Sequence, residues 1–178
     1  DRNLETLKKT VNNIHKCILA TLATLKIKYP SIKVHLPENL YFITSQELLD
    51  IYPNLSSKER EYEITKEHKA VFIIGIGDKL SNGQAHDGRA PDYDDWKLNG
   101  DLIYYHEVLD CALEISSMGI RVDADSLIYQ LETSNHTDRM RYRYHQMILN
   151  NELPYTIGGG IGQSRLCMLL MGKAHIGE

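Results

Sequence analysis

Phenylalanine, tryptophan and cysteine are scarce in this chain: two, one and three in 178 residues. Cys17, Cys111 and Cys167 have neither metal-ligand spacing nor a disulfide pattern, so a reducing, cytoplasmic setting is expected. No apolar run approaches membrane-spanning length and no signal-like segment opens the sequence, so neither a membrane span nor export is expected. Positive charge is not in excess either. Twenty Lys and Arg against 24 Asp and Glu give a formal charge of −4, which carries no electrostatic footprint for nucleic acid. There is no internal repeat and no low-complexity stretch. What is there is ordinary for a soluble globular protein, 42% apolar and 25% charged, and the length suits one domain with a real core.

Periodicity gives the organisation. Leu4, Leu7, Val11, Ile14, Ile18, Leu22 and Leu25 recur at three- and four-residue steps, an amphipathic helix reaching towards Pro30 with no evident cap before it. Ile32, Val34 and Leu36 alternate as in a short strand, and "LYFITS" reads as another. Thr44 with Glu47, and Ser56 with Glu59, have capping-box spacing and open two short helices. "AVFIIGIG" is a buried strand ending in glycines, and the polar segment 78–96 after it is long enough for a functional loop. Two strands at roughly 101–106 and 108–115 precede a turn at Gly119. Asp123 caps a helix to about Ser134, a second helix covers about 137–150, and Gln163–Met171 forms a third after "PYTIGGGIG". Strands thus cluster with hairpin-like connections and helices lie outside them, the pattern of an α+β domain around an antiparallel sheet.

Three segments carry candidate chemistry. In "YTIGGGIGQSRLCMLL", Gly158, Gly159, Gly160 and Gly162 let the backbone approach a ligand, and the following helix points amide donors at it. The spacing fits neither the P-loop nor the dinucleotide fingerprint. Arg165, in the first turn of that helix, is a poor place for a cation unless an anion offsets the dipole; an exposed arginine after a plain turn is the ordinary alternative. In "LEISSMGIRV", alternation puts Asp110, Ala112 and Glu114 on one face of a strand, with Ser117 and Arg121 near its end. Glu114 among apolar neighbours needs a cation or amine partner, whereas a solvated edge strand would need none. "RAPDYDDW" sets Asp92, Asp94 and Asp95 close to Arg89, Lys79 and His86, with Asp101 just beyond; these acids suit an ammonium group or a hydrated metal, or form a solvated turn. His86 and His106 lack metal-ligand partners at useful spacing, and no serine or cysteine pairs with a histidine as a nucleophile.

"TIGGGIGQSRLCMLL" with "KAHIGE", "FITSQELLDIYP", "GIGDKLSNGQAHDGRAPDYDDW", "LNGDLI" and "LEISSMGIRVDADSL" resemble, in order and over nearly the whole chain, blocks of the A-type, ammonia-dependent asparagine synthetases. That family is similar in fold to the catalytic domains of class II aminoacyl-tRNA synthetases, an antiparallel sheet flanked by helices and usually homodimeric. The glycine–arginine segment corresponds to the third signature motif of that class. The resemblance implies that L-aspartate, ATP and ammonia give L-asparagine, AMP and pyrophosphate through a β-aspartyl-adenylate, with Mg2+ required and no tRNA involved. Carried over by position, it implies that Arg165 sits on the ATP phosphates and Gly160 beside the adenosine. Glu114 would help hold Mg2+ or phosphates, with Ser117 and Arg121 near aspartate or the adenylate. Asp94 would receive the substrate amino group or guide ammonia, Asp101 would support that pocket, and Arg89 is a further phosphate candidate.

The same resemblance implies departures. Residues 1–178 read as the C-terminal part of a single class II synthetase-like catalytic domain, without the N-terminal part that bears the first two motifs. The family's loop between Trp96 and Leu98 is expected to be longer than here. The 178 residues alone are therefore expected to lack a complete site and to show no synthetase activity. Two other readings stand beside the ligase: an aspartyl- or asparaginyl-tRNA synthetase catalytic domain, disfavoured by Ser164 before Arg165, and a non-catalytic paralogue that binds ATP or aspartate.

Overall fold

Asn3 caps the first helix. Its side chain accepts from the Thr6 amide and its backbone is extended, and α1 follows over Leu4–Lys28. The expectation of an uncapped start is corrected. Position 6 is threonine rather than Glu or Gln, so no capping-box pattern betrays the cap. The computed structural model describes residues 1–178. Leu7, Val11, Ile18 and Leu22 are buried as the periodicity requires, together with His15, whose ring bonds the Tyr104 hydroxyl (2.7 Å) and the Pro37 carbonyl (3.0 Å). Residues 32–36 form no strand. Ile32, Val34 and Leu36 are half-buried against the core with no neighbouring strand to complete a ladder.

Five strands form one sheet in the order β1-β2-β3-β4-β5: β1 Tyr41–Thr44, β2 Ala70–Ile74, β3 Asp94–His106, β4 Cys111–Arg121 and β5 Ile157–Ile161. Every neighbouring pair is antiparallel except β1 with β2, so the sheet is mixed at one edge rather than wholly antiparallel. That parallel pair needs a helical crossover, supplied by α2 (Ser45–Ile51) and α3 (Ser57–His68). Both helices start at the expected capping boxes, Thr44/Glu47 and Ser56/Glu59. β2 is buried at all five positions. The larger core packs α1 and α6 (Gln163–Met171) on one face of the sheet through Leu7, Leu102, Tyr104, Met118 and Leu169. A smaller one packs α2 and α3 on the other through Leu48, Ile64, Ile73 and Ile103.

β3 and β4 are longer than expected, and Gly119 makes no turn. It lies inside β4, where a Cβ would come within 2.8 Å of Asn99 Cβ and of Asp94 Cγ; the glycine lets two strands approach closely. The real hairpin turn lies at 107–110, with Asp110 at φ 47°. The expected pair of helices after Asp123 is α4 (Ala124–Thr133), then a 3-10 turn at Thr137–Arg141 and α5 (Arg143–Leu149). No helix is long and apolar enough to cross a membrane.

Candidate active site

Glu114, Ser117 and Arg121 belong on one face only because β4 is irregular. Ile103 faces Glu114 while Leu102 faces Ser116, so Ile115 is an extra residue in the ladder. Up to and including it, Leu113 and Ile115 point into the larger core; beyond it, Met118 and Ile120 do. The bulge shifts the alternation by one, and Glu114, Ser117 and Arg121 all face away from that core. In an unbroken strand Glu114 and Ser117 would lie on opposite faces. Asp110, expected on the face of Glu114, lies in the hairpin turn instead.

The glycines are a strand and not a turn. Gly158, Gly159 and Gly160 pair with Gly119, Met118 and Ser117, and none has a positive φ. Their smallness is what is used. A Cβ on Gly158 would collide with the Arg121 guanidinium, and one on Gly159 would lie 2.5 Å from Met118 Cβ. A Cβ on Gly160 would meet nothing within 4 Å, because this glycine faces open space. Gly162 then caps α6 with no side-chain bond, leaving the first amides of the helix directed to the same space.

That space is a cavity of about 470 Å3, lined by Asp94, Glu114, Ser117, Arg121, Gly160 and Arg165 with Tyr93 and the start of α6. Six of the predicted residues therefore meet in one place. Arg165 donates to the Glu114 carbonyl (3.1 Å), lies 3.9 Å from its carboxylate, and remains 54% exposed. Arg121 donates to Asp94, whose side chain is only 3% exposed, and stacks over Tyr93 at 5.5 Å. Burial raises the Asp94 carboxyl above its ordinary value and outweighs the opposing pull of Arg121 and Arg89. Burial, then the nearby charge of Asp101, raises Glu114 as well, against Arg165.

Asp101 and Arg89 do not line the cavity. They lie behind the lining residue Ser117, as a buried floor to the sheet face: Arg89 donates to Asp101 (2.6 Å) and to Ser117, and both ends of the ion pair are about nine-tenths buried. Asp101 and Ser117 face each other across β3 and β4, so one guanidinium ties both strands. The acidic loop does not act as a cluster. Asp94 turns to the cavity, Asp92 to Arg139 (3.0 Å) and Asp95 to Arg2 (2.6 Å). Sequence reasoning missed Tyr93, Gln163 and Ser164 among the lining residues; their only signal is adjacency to Asp94 and Arg165.

The model of the family described as aspartate-ammonia ligase matches residues 1–178. A Ligilactobacillus salivarius protein named aspartate--ammonia ligase is 59% identical over 179 residues, 100% of this chain and 53% of the relative. One of the same name from Clostridium perfringens is 59% identical over 178 residues, with the same shares. The chain thus spans about half the length of the curated relatives it matches. Alignments of 178 and 179 residues leave no room for the several-residue gap expected between Trp96 and Leu98, so against these relatives that loop is not shortened. Asparaginyl-tRNA synthetase from Entamoeba histolytica shares the fold, with TM-score 0.64 and 18% identity over 98% of this chain and 43% of that one. The Pyrococcus horikoshii asparaginyl-tRNA synthetase gives 0.64 and 16%, over 96% and 43%.

Proposed function

This chain belongs to the aspartate–ammonia ligase family, and on that premise we propose that the protein carrying it makes L-asparagine from L-aspartate, ammonia and ATP. The observation that carries the reading is the convergence of Asp94, Glu114, Ser117, Arg121, Gly160 and Arg165 on one cavity at the N-terminus of α6. In the first step the β-carboxylate oxygen of aspartate attacks the α-phosphorus of ATP and pyrophosphate leaves. In the second, ammonia attacks the β-carbonyl carbon of the adenylate, and AMP departs with the electrons of the C–O bond. Negative charge spreads over phosphate oxygens in the first step, and Arg165 with the α6 amides is placed to offset it. Gly160 leaves room for the adenosine. Arg121 and Ser117 hold aspartate and the adenylate. Asp94, raised by burial, receives the substrate amino group or the proton that ammonium gives up on becoming a nucleophile. Arg89 is better assigned to holding Asp101 and Ser117 than to phosphate, because it is buried and already bonded to both.

Mg2+ is bound in such sites by one or two carboxylates plus substrate phosphates, and Glu114 fits that demand: a carboxylate in the cavity, with its charge disfavoured by burial and Asp101. The ion would supply charge neutralisation at the phosphates. A homodimer and a cytoplasmic setting are part of the same reading; the first rests on the family resemblance alone, and the second also on three cysteines that form no disulfide. The tRNA synthetase reading has less support, since the ligases are 59% identical and the synthetases 16–18%.

The test is isotope exchange between pyrophosphate and ATP in the protein that carries this chain. We expect exchange that requires aspartate and not ammonia, and asparagine on adding ammonium. Exchange that ignores aspartate, or none at all, overturns the reading.

A further inference from the structure

Arg89 reaches Ser117 and Asp101 from the segment 75–93 that joins β2 to β3, which side chains rather than a long backbone ladder hold in place: Gln46 bonds Ser81, Tyr129 donates to Asp78, and Gln130 donates to the Pro91 carbonyl at 2.9 Å. Between residues 77 and 90 only His86 is buried. Its own backbone ladder is a single bridge, Lys79 to Ala85. His86, with its side chain wholly buried, donates from Nε2 to Glu61 of α3 at 3.0 Å, while its Nδ1 has no partner. Glu61 is itself buried and takes Lys58 Nζ on both oxygens, 3.0 Å each. Lys58 also reaches Asp87 at 2.9 Å. Two consecutive loop residues are thereby tied to one turn of α3, and Arg89 follows two residues later.

We propose that the Glu61–His86 pair, braced by Lys58 and Asp87, is the positioning element that holds Arg89 on Asp101 and Ser117. The inference rests on reading the cavity as the ligase site, and adds to it residues that do not touch substrate. An apolar side chain at position 86 would bury as much surface without fixing direction. A ring nitrogen bonded to a carboxylate sets both depth and rotation, and such pairs are costly to desolvate, which makes them poor choices for packing alone. From His86 the path is short: Arg89 ties Asp101 to Ser117, and Ser117 lines the cavity opposite Gly160.

The experiment combines kinetics with hydrogen exchange on the intact protein. His86→Gln and Glu61→Ala are each expected to lower kcat for aspartate-dependent exchange about 10- to 100-fold, the scale on which small misplacements act. Glu61→Gln, which keeps an acceptor oxygen, recovers part of the loss. In a cycle with Arg89→Met, the double variant with His86→Gln is expected to be no slower than Arg89→Met alone, because both changes remove the same contact. Amides of 77–93 exchange faster in His86→Gln, and those of β2 and α3 do not. Multiplicative losses in the double variant, faster exchange spread through α3 and β2, or unaltered kinetics in His86→Gln each overturn the proposal. If the unaltered protein shows no aspartate-dependent exchange, the ligase reading fails by itself. The amide measurement still decides the anchor: faster exchange confined to 77–93 sustains it, and any other pattern removes it.

Discussion

Two of the three arginine–carboxylate pairs at the cavity, Arg89–Asp101 and Arg165–Glu114, have the same chemistry and opposite settings. Arg89 and Asp101 form a buried floor at 2.6 Å, with Ser117 as a second acceptor. Arg165 and Glu114 form a rim, 3.9 Å apart and partly open to solvent. In the floor, burial removes water and leaves each charge to its partner and a few fixed neighbours, Ser117 and Asp94 among them. At the rim, water already solvates both, so the pair itself contributes little. A guanidinium that structure does not need is one available to a ligand.

The largest effect should come from the floor. Replacing one member of a buried pair strands the other, at a cost of about 3–5 kcal/mol. Arg89→Met should lower urea-measured stability by that order, and the double variant Arg89→Met/Asp101→Leu should recover much of it. Arg165→Ala inverts the pattern. Stability should change by less than about 0.5 kcal/mol in the same urea titration, as for surface pairs. Exchange activity should fall about 10²- to 10³-fold, the effect of removing one donor aimed at developing charge. A stability loss at Arg165 comparable to that at Arg89 would end the distinction.

The glycine strand allows a finer comparison. Gly159→Ala drives a methyl group into Met118 Cβ and the Ser117 carbonyl and should cost about 1–3 kcal/mol of stability, as overpacking does. Gly160→Ala meets no atom within 4 Å and should leave the unfolding midpoint unchanged while weakening ATP binding, read by calorimetry. Equal destabilisation by both would mean that Gly160 is also a packing glycine.

Local chemistry was legible where a few adjacent residues decide it. The capping boxes at Thr44 and Ser56, the buried run of β2, and α6 from Gln163 to Met171 follow from patterns within four to nine residues. The site's membership was legible mainly through resemblance. Its construction was not: the extra residue at Ile115 that brings Glu114 and Ser117 onto one face leaves no mark on composition or period. Gly119 misled because glycine signals both turns and close approach, and only the partner strand, Asn99 and Asp94, decides between them. The alternation at Ile32, Val34 and Leu36 misled for the converse reason, a strand pattern with no partner. His86 and Glu61, 25 residues apart, could not be paired without the fold.

The smallest effect tests the rim from its acidic side. Glu114 is raised above its ordinary value by burial and then by Asp101, with Arg165 opposing. A carboxyl with a raised folded pKa binds its proton more tightly in the folded chain than in the unfolded one. Its contribution to stability therefore falls as pH rises from the unfolded value, 4.5, through the folded one. At neutral pH the ionised group is a small cost, and acidification towards 4.5 relieves it. With 38% of the side chain exposed, solvent screening holds that cost to about a few tenths of a kcal/mol. Glu114→Gln should accordingly be slightly more stable than the unaltered protein at pH 7 and indistinguishable from it below pH of about 4, as thermal unfolding across pH would show. A loss of stability at pH 7 would make Glu114 a structural partner of Arg165, and the rim would then be a second floor instead of the surface we propose for phosphate and metal.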